Sequence, residues 1–444
     1  MTERPPGISR QLSGYALAVS RWLAAGAPSR TDRQVAELLA ICQSCPKYDA
    51  SRGACSKCGC KVNASSWAIV NKLRMATESC PDGHWGAVEP PKNPGKLRVG
   101  FLTPNLIVGG VESWLISLVR ELQALGSIHV SGVGHTAGDG LWSPIIADEL
   151  GGLCPTVSSA SIPGAARVSS PAKAAQAVAA ASDVLIVWSV TPAILAACQG
   201  PRIVGVSHGC NDWWMADCAK LVDEWVAVAE VARTPCPDPT RVHVIPNGVD
   251  VARCKSSLSV AEARERLGLP AWARVAGYVG RFSSEKRVQQ ISESVNWLPM
   301  DWHLLFVGDG RDRVEPSGRV HVLPPTRAVG DIWRACDVAV VASEAEGYCL
   351  SAVEALAAGI PLASTQVGIM RDLPTEYVPI DNPAQPHGIA TAIQVAYQLG
   401  PSSGLARWAR TEASAAKMAE RWAGFLDGVH NASRTHPSTA SRQP

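Results

Sequence analysis

EGYCLSAVEALAAGIPLAST, residues 346–365, is the stretch from which the fold is read. Leu350, Val353, Leu356 and Ala357 recur at helical spacing, Gly359 suits a left-handed C-cap, and Pro361 stops further turns. The spacing therefore predicts a polar loop carrying Glu346 that runs into a helix carrying Glu354. Were both acids helical, their separation would correspond to roughly 12 Å of rise, a reach suited to one elongated ligand touched at two points. Immediately upstream, DVAVVAS (residues 337–343) reads as a buried parallel strand. Strand, loop and helix together aim free backbone N–H groups at a place where an anion can sit. Taken singly, each glutamate reads first as a solvated residue beside a core helix, so the rest of the chain decides.

Outward from this unit the same alternation continues. RVAGYVG, WHLLFVG, RVHVLP and PLAST are further strands after a helix over VAEARERLGL, and LRVGFLT, HVSGVG, DVLIVWSV, RIVGVS, EWVAVA and VHVIP form an earlier run. Between the early strands lies VESWLISLVRELQAL, with Val111, Trp114, Leu115, Leu118, Leu122 and Leu125 on one face. Near-continuous apolar strands alternating with amphipathic helices indicate parallel sheets covered on both faces. The expected organisation is an N-terminal helical segment (1–40), a cysteine-rich module (41–85), a linker (86–96) and two Rossmann-like domains (97–250 and 251–403). A single crossover helix (404–431) and a disordered tail (432–444) complete it.

The 444 residues suffice for two sizeable domains and an additional module. A net charge of +2 without long charge runs gives no electrostatic case for nucleic acid. No apolar stretch approaches a bilayer span, so no transmembrane segment is expected. Arg21 and Gly26 interrupt the one candidate, LSGYALAVSRWLAAGA, which reads as a surface or docking helix. The expectation is a cytoplasmic protein, free or peripheral at a membrane.

Ligands of open α/β sheets bind at the carboxyl ends of strands. Four segments fall there. PNLIVGGVES places Gly109 and Gly110 where backbone can approach a ligand, and VSHGCND places His208 just after a strand. GYVGRFSSEKR offers Arg281 and Lys286, a planar fork and a point charge suited to a diphosphate. FVGDGRDR is a strand followed by a Gly-Asp-Gly turn. Each has a bland reading (a tight turn, a structural histidine, an exposed basic turn), and no P-loop occurs.

Together IPNGVD (245–250), Gly280-Arg281 with Lys286, VGDG (307–310) and Glu346-x7-Glu354 resemble, in order and spacing, family 4 retaining glycosyltransferases of the GT-B fold. The first domain is similar more loosely, through the GGVE loop and His208. The resemblance implies two Rossmann-like domains facing across a cleft, and a sugar moved from a UDP- or GDP-linked nucleotide-sugar donor to a carbohydrate, lipid-linked or protein acceptor. It implies that Arg281 and Lys286 bind the diphosphate, Glu354 the ribose hydroxyls and Glu346 the donor sugar. Backbone amides of Gly347, Tyr348, Cys349 and Leu350 would support phosphate or sugar oxygens. Gly109 and Gly110 would lie over the phosphates, and His208 beside the reacting sugar. No catalytic metal is expected. Departures are QVGIMRD (366–372), where many members carry a second Gly and a Glu, and Tyr348 in place of the usual Phe.

Of 14 cysteines, eight are scattered among apolar residues and read as small buried hydrophobes of a reducing compartment. The others form Cys42-x2-Cys45 and Cys55-x2-Cys58, followed by Cys60 and Cys80. Two such knuckles fit a structural tetrathiolate zinc on Cys42, Cys45, Cys55 and Cys58. Because the thiols outnumber four ligands, Cys60, Cys80 or His84 could replace one of these, and an iron–sulfur cluster is the lesser reading. Such a module resembles small cysteine-rich modules of phage and bacterial proteins and would suit protein docking. The alternative function is accordingly a non-catalytic GT-B protein docked to a partner through its zinc module.

Overall fold

A computed structural model describes residues 18–19, 21–22, 29–30, 32–63, 71–87, 96–137, 141–210 and 212–435. Most of the expected linker, the far end of the tail and much of the first 31 residues lie outside this set. A small hairpin pairs β1 (Tyr48–Asp49) with β2 (Ala54–Cys55). The first large sheet contains β3 (Leu97–Thr103), β4 (Ile128–His135), β5 (Thr156–Ser158), β6 (Ala166–Arg167), β7 (Val184–Val187), β8 (Arg202–Ser207), β9 (Glu224–Ala227) and β10 (Val242–Val244). Its order is β10-β9-β8-β7-β3-β4-β5-β6, parallel throughout. The second contains β11 (Arg274–Val279), β12 (Trp302–Val307), β13 (Val320–Leu323), β14 (Val338–Val341), β15 (Leu362–Thr365) and β16 (Val378–Ile380). Its order is β13-β12-β11-β14-β15-β16, also parallel.

Both sheets carry helices on both faces, which is why β7, β12 and β14 are buried along their whole length. The strand order reverses next to β3 and next to β11, and loops leaving those central strands open toward one another. The Gly110–Leu125 helix departs from a one-sided pattern. It buries Trp114, Leu115, Leu118 and Leu122 as its spacing demands, but also Ile116, Ser117 and Val119, while Leu125 is exposed. The reason is a second covering layer: the C-terminal helix lies across it, with Trp422 6.1 Å from Trp114 between ring centroids.

That C-terminal element is not the single helix expected over 404–431. Two helices, Ser403–Thr411 and Ala415–Thr435, are broken at the chain's return to the first domain. There Val249 donates to the Ala413 carbonyl (2.8 Å) and accepts from Ala415 N–H (2.8 Å), taking backbone groups that a continuous helix would have used. Gly248 lies flush against Ser414, where a Cβ would overlap its carbonyl. The helix before the break packs on the Leu350–Ala358 helix of the second domain and the one after it on the first, so this crossing is the natural pivot between them.

The cysteine-rich region is built on the Asp32–Ser44 helix and the β1–β2 hairpin. Its small core is Val35, Val62, Leu73 and Trp85. Arg30 is buried beneath it and donates to the carbonyls of Leu73, Met75, Ala76, Glu78 and Gly86. One guanidinium thus gathers a segment that lacks regular structure, a use for which its five donors suit it. Ala18, Val19 and Trp22 are buried and Arg21 forks Glu78, so the described part of the first segment packs against this region. Among the described residues no helix is long and apolar enough to cross a membrane.

Candidate functional site

The Leu350–Ala358 helix ends at Gly359, in left-handed geometry (φ 83°), whose N–H bonds back into the last turn. Glu354 therefore lies within the helix and Glu346 in the loop before it. Lys286 and Glu346 form an ion pair at 2.6 Å, with side chains only 16% and 17% exposed. Ser343 donates to the other Glu346 oxygen at 2.8 Å. Lys286 and Arg281 have separate environments: Arg281 is 67% exposed and pairs with Glu285 at 3.1 Å. The Gly280–Phe282 loop is tied to the VGDG turn by Phe282 N–H to the Asp309 carbonyl, 2.6 Å. The cations thus stand on a braced platform at the ends of β11 and β12.

Two elements of opposite domains meet directly at this platform. A Cβ at Gly347 would overlap the His208 carbonyl oxygen, so only glycine permits the approach. Beside it the Cys210 thiol donates to the Glu346 carbonyl at 3.1 Å. His208 itself is wedged edge-on against Trp114 (4.5 Å) and Trp188 (5.7 Å). Burial lowers its pKa to about 3, and its Nε2 is buried without a hydrogen-bond partner among the described residues. The ring is therefore neutral near pH 7, equipped to exchange a hydrogen bond with a hydroxyl and unable to act as a cationic acid. Its loop is set by Asp212, which accepts from Ser207 Oγ (2.9 Å), His208 N–H (2.9 Å) and Gly209 N–H (3.0 Å).

Burial raises the Glu354 pKa to about 7, opposed by the nearby charges of Arg253 and Arg327. Tyr348 points its side chain into the core, so any part it plays belongs to its backbone. Cys349 occupies the N-cap in left-handed geometry (φ 80°, ψ 65°), an uncommon conformation for a side-chain-bearing residue; burial holds it as a thiol, its pKa raised to about 12. Gly109 and Gly110 divide in role. A Cβ at Gly109 would lie 2.6 Å from a Glu112 oxygen, whereas one at Gly110 would make an ordinary 3.6 Å contact with Leu350 across the domains.

Sequence reading passed over Glu112, Asp212, Arg253 and Arg327. Glu112 is 5% exposed and its pKa is raised to about 7 by burial, against the Arg281 charge. The fourth letter of GGVE carries that signal and Asp212 stands in VSHGCND, a few residues from the groups it accepts from, whereas Arg253 and Arg327 depend on long-range contacts.

In the N-terminal region Cys42, Cys45, Cys55 and Cys80 line one cavity of about 20 Å³ with His84 and Trp85. Cys58, expected among the ligands, does not line that cavity; it lies between Cys55 and Cys60, and the Cys60 thiol approaches the Cys58 carbonyl at 3.8 Å. All six cysteines are free. As their side chains stand, no group of three or more His, Cys, Asp or Glu among the described residues is arranged to hold a metal ion.

Residues 273–398 match the family model described as Glycosyl transferases group 1. TuaC of Bacillus subtilis (strain 168), named for glycosyl transfer in teichuronic acid biosynthesis, is 35% identical over 129 residues, 28% of this chain and 33% of the relative. The GDP-mannose-dependent alpha-mannosyltransferase of Mycolicibacterium smegmatis is 33% identical over 141 residues, 30% of this chain and 36% of the relative. These matches span about a third of each relative's length. HepE of Anabaena, solved in complex with UDP-glucose, superposes with a TM-score of 0.62 at 17% identity, over 75% of this chain and all of that one. That likeness shows the fold: two Rossmann-like parallel-sheet domains in the GT-B arrangement.

Proposed function

We propose that the protein is a retaining glycosyltransferase that moves a sugar from a UDP- or GDP-linked donor to a carbohydrate, lipid-linked or protein acceptor. The observation that carries this reading is the meeting of the Glu346–Gly347 loop with His208 across the domains, beside Lys286 and the start of the Leu350–Ala358 helix. As a glycosidic bond to a nucleoside diphosphate breaks, negative charge collects on the leaving phosphate. Lys286, Arg281 and the N–H groups of the helix start are fixed in advance to meet it. Glu346 and neutral His208 would hold sugar hydroxyls from the two sides, and closure would keep water from the activated carbon. Glu354 would accept the two ribose hydroxyls. Retention and the division of roles follow the family resemblance. Either nucleotide is compatible with the relatives, since one is named GDP-mannose-dependent and HepE was solved with UDP-glucose.

Screening UDP-, GDP- and ADP-sugars for nucleotide release tests the proposal. One donor is expected to be turned over; release from none would favour the non-catalytic docking protein. A sharper check uses Gly347→Ala. The added methyl would force the His208 loop away while each domain keeps its core. Turnover is expected to fall at least about 100-fold, because misplacement by about 1 Å costs that much. Thermal unfolding should shift little, and scattering should report a more open particle.

For the N-terminal region we infer a structural metal, zinc in preference to an iron–sulfur cluster, with Cys80 taking the place of Cys58 beside Cys42, Cys45 and Cys55. The shared cavity and the two-knuckle spacing support this, since four thiolates satisfy zinc's tetrahedral preference after small side-chain rotations. Metal analysis of the purified full chain should find one zinc. Cys80→Ser should lose it and Cys58→Ser should keep it; a brown, iron-containing sample, or retention by Cys80→Ser, would contradict the assignment. A docking role for this region remains part of the same proposal.

A further inference from the structure

Arg327, in the loop after β13, belongs to the second domain by sequence and to the first by its bonds. Its Nε and Nη2 fork Glu149 at 2.7 and 2.6 Å, and its Nη1 donates to Ser113 Oγ at 2.9 Å. Glu149 lies in the Pro144–Gly151 helix and Ser113 in the Gly110–Leu125 helix, so all three bonds cross the domain boundary. The Arg327 side chain is only 13% exposed. A bidentate charge-assisted contact so shielded is among the stronger single links a protein makes.

The same charge acts on Glu354, the acid two turns into the site helix. Arg253 does so too, but it is anchored: its Nη2 donates to the Arg327 carbonyl at 2.9 Å. The Glu354 carboxylate has no side-chain hydrogen bond or ion pair among the described residues. Two carboxylates therefore lie within the influence of one guanidinium, and only Glu149 holds it. Separating the domains removes Glu149 and Ser113 together. Opening exposes a guanidinium that has lost three bonds, and the unbonded carboxylate on its side of the cleft is Glu354, one helical turn past Leu350, which itself lies against Gly110 at the start of the Ser113 helix.

We propose that Arg327 is a positioning residue shared between two carboxylates, and that domain closure decides which one holds it. Closed, Glu149 takes the guanidinium and the Glu354 oxygens are free for ribose hydroxyls. Open, Arg327 turns onto Glu354 and masks it. Nucleotide affinity and closure are then linked through one side chain, each favouring the other by the same factor. The inference rests on Glu354 being the ribose acid, as proposed above.

The two ideas fail separately in one set of titrations. Binding of UDP and of GDP to the full chain is measured by calorimetry for wild type, Glu354→Gln, Glu149→Gln, Arg327→Met and the Glu149→Gln/Arg327→Met double variant, each checked for folding by circular dichroism. Glu354→Gln should weaken the nucleotide that binds; unchanged binding would remove the ribose assignment itself. Glu149→Gln should weaken binding about tenfold, because Arg327 is released onto Glu354. Adding Arg327→Met should recover most of that loss, since the released guanidinium is gone and Arg253 stays anchored on the backbone of residue 327. A plain structural clamp would behave oppositely: the double variant would bind no better than Glu149→Gln. That result, or wild-type affinity in Glu149→Gln, would overturn the proposal.

Discussion

Replacing Lys286 with alanine is expected to lower kcat/KM by on the order of a thousandfold, the largest single loss among the cleft residues. Two effects add. The leaving diphosphate loses a fixed cation, which in enclosed sites typically costs about 3–4 kcal/mol in the transition state. The Glu346 carboxylate, 17% exposed and paired at 2.6 Å, also loses its counter-charge and repels the incoming phosphates. The two are separable. Lys286→Ala/Glu346→Gln removes the orphaned charge, so thermal stability should return toward wild type while kcat/KM stays low. Steady-state kinetics and thermal unfolding on the three proteins check this. Activity restored by the double variant would mean that Lys286 serves Glu346 and not the donor. Arg281, exposed and among the described residues paired only with Glu285, should matter less.

The second large effect is at Glu354. Glu354→Gln should raise the nucleotide dissociation constant about 100-fold, the scale of two hydrogen bonds losing their charged acceptor. It should also flatten a pH dependence. Burial has raised this group's pKa to about 7 in the folded protein, against the Arg253 and Arg327 charges. Binding through the ionised form therefore strengthens as pH rises through about 7 and then levels. Stability of the free protein runs the other way. The folded state binds the proton more tightly than the unfolded one, so the group's contribution is complete below its ordinary value of 4.5 and is lost as pH rises through about 7. Glu112, raised to a similar value by burial, shifts stability in the same direction without contacting the ribose. Opposite slopes for affinity and stability across neutral pH, with the affinity slope absent in Glu354→Gln, are the expected signature.

Much of this architecture could be read in the chain, for a physical reason. Strands covered on both faces must be apolar almost throughout, so β11, β12 and β14 announce themselves, and Gly359 with Pro361 marks where the site helix stops. The short outer strands β5, β6 and β16 are too brief to show a period. The break at Ser414 was equally invisible, because it is imposed by Val249, far away in sequence. Residue types and spacing single out Glu346, Glu354, Arg281 and Lys286 as candidates. Partnerships did not follow from them: Lys286 to Glu346, Arg327 to Glu149 and Cys80 beside Cys42 are set by how loops fold back. Cysteine spacing points to Cys58 because adjacent knuckles look equivalent in a line of sequence, whereas the cavity beside it is lined by Cys42, Cys45, Cys55 and Cys80, with Cys58 between Cys55 and Cys60.

On the proposed function, the interdomain face is a cradle for a nucleoside diphosphate, held by its phosphates at Lys286 and by its ribose at Glu354. Calorimetric titration of the full chain with UDP, UMP, GDP and GMP tests it most directly, repeated on Lys286→Ala and Glu354→Gln. Expected are one site per chain, a diphosphate preferred over its monophosphate, that preference lost in Lys286→Ala, and overall affinity lost in Glu354→Gln. Binding that ignores the second phosphate, or that survives both substitutions unchanged, would contradict it.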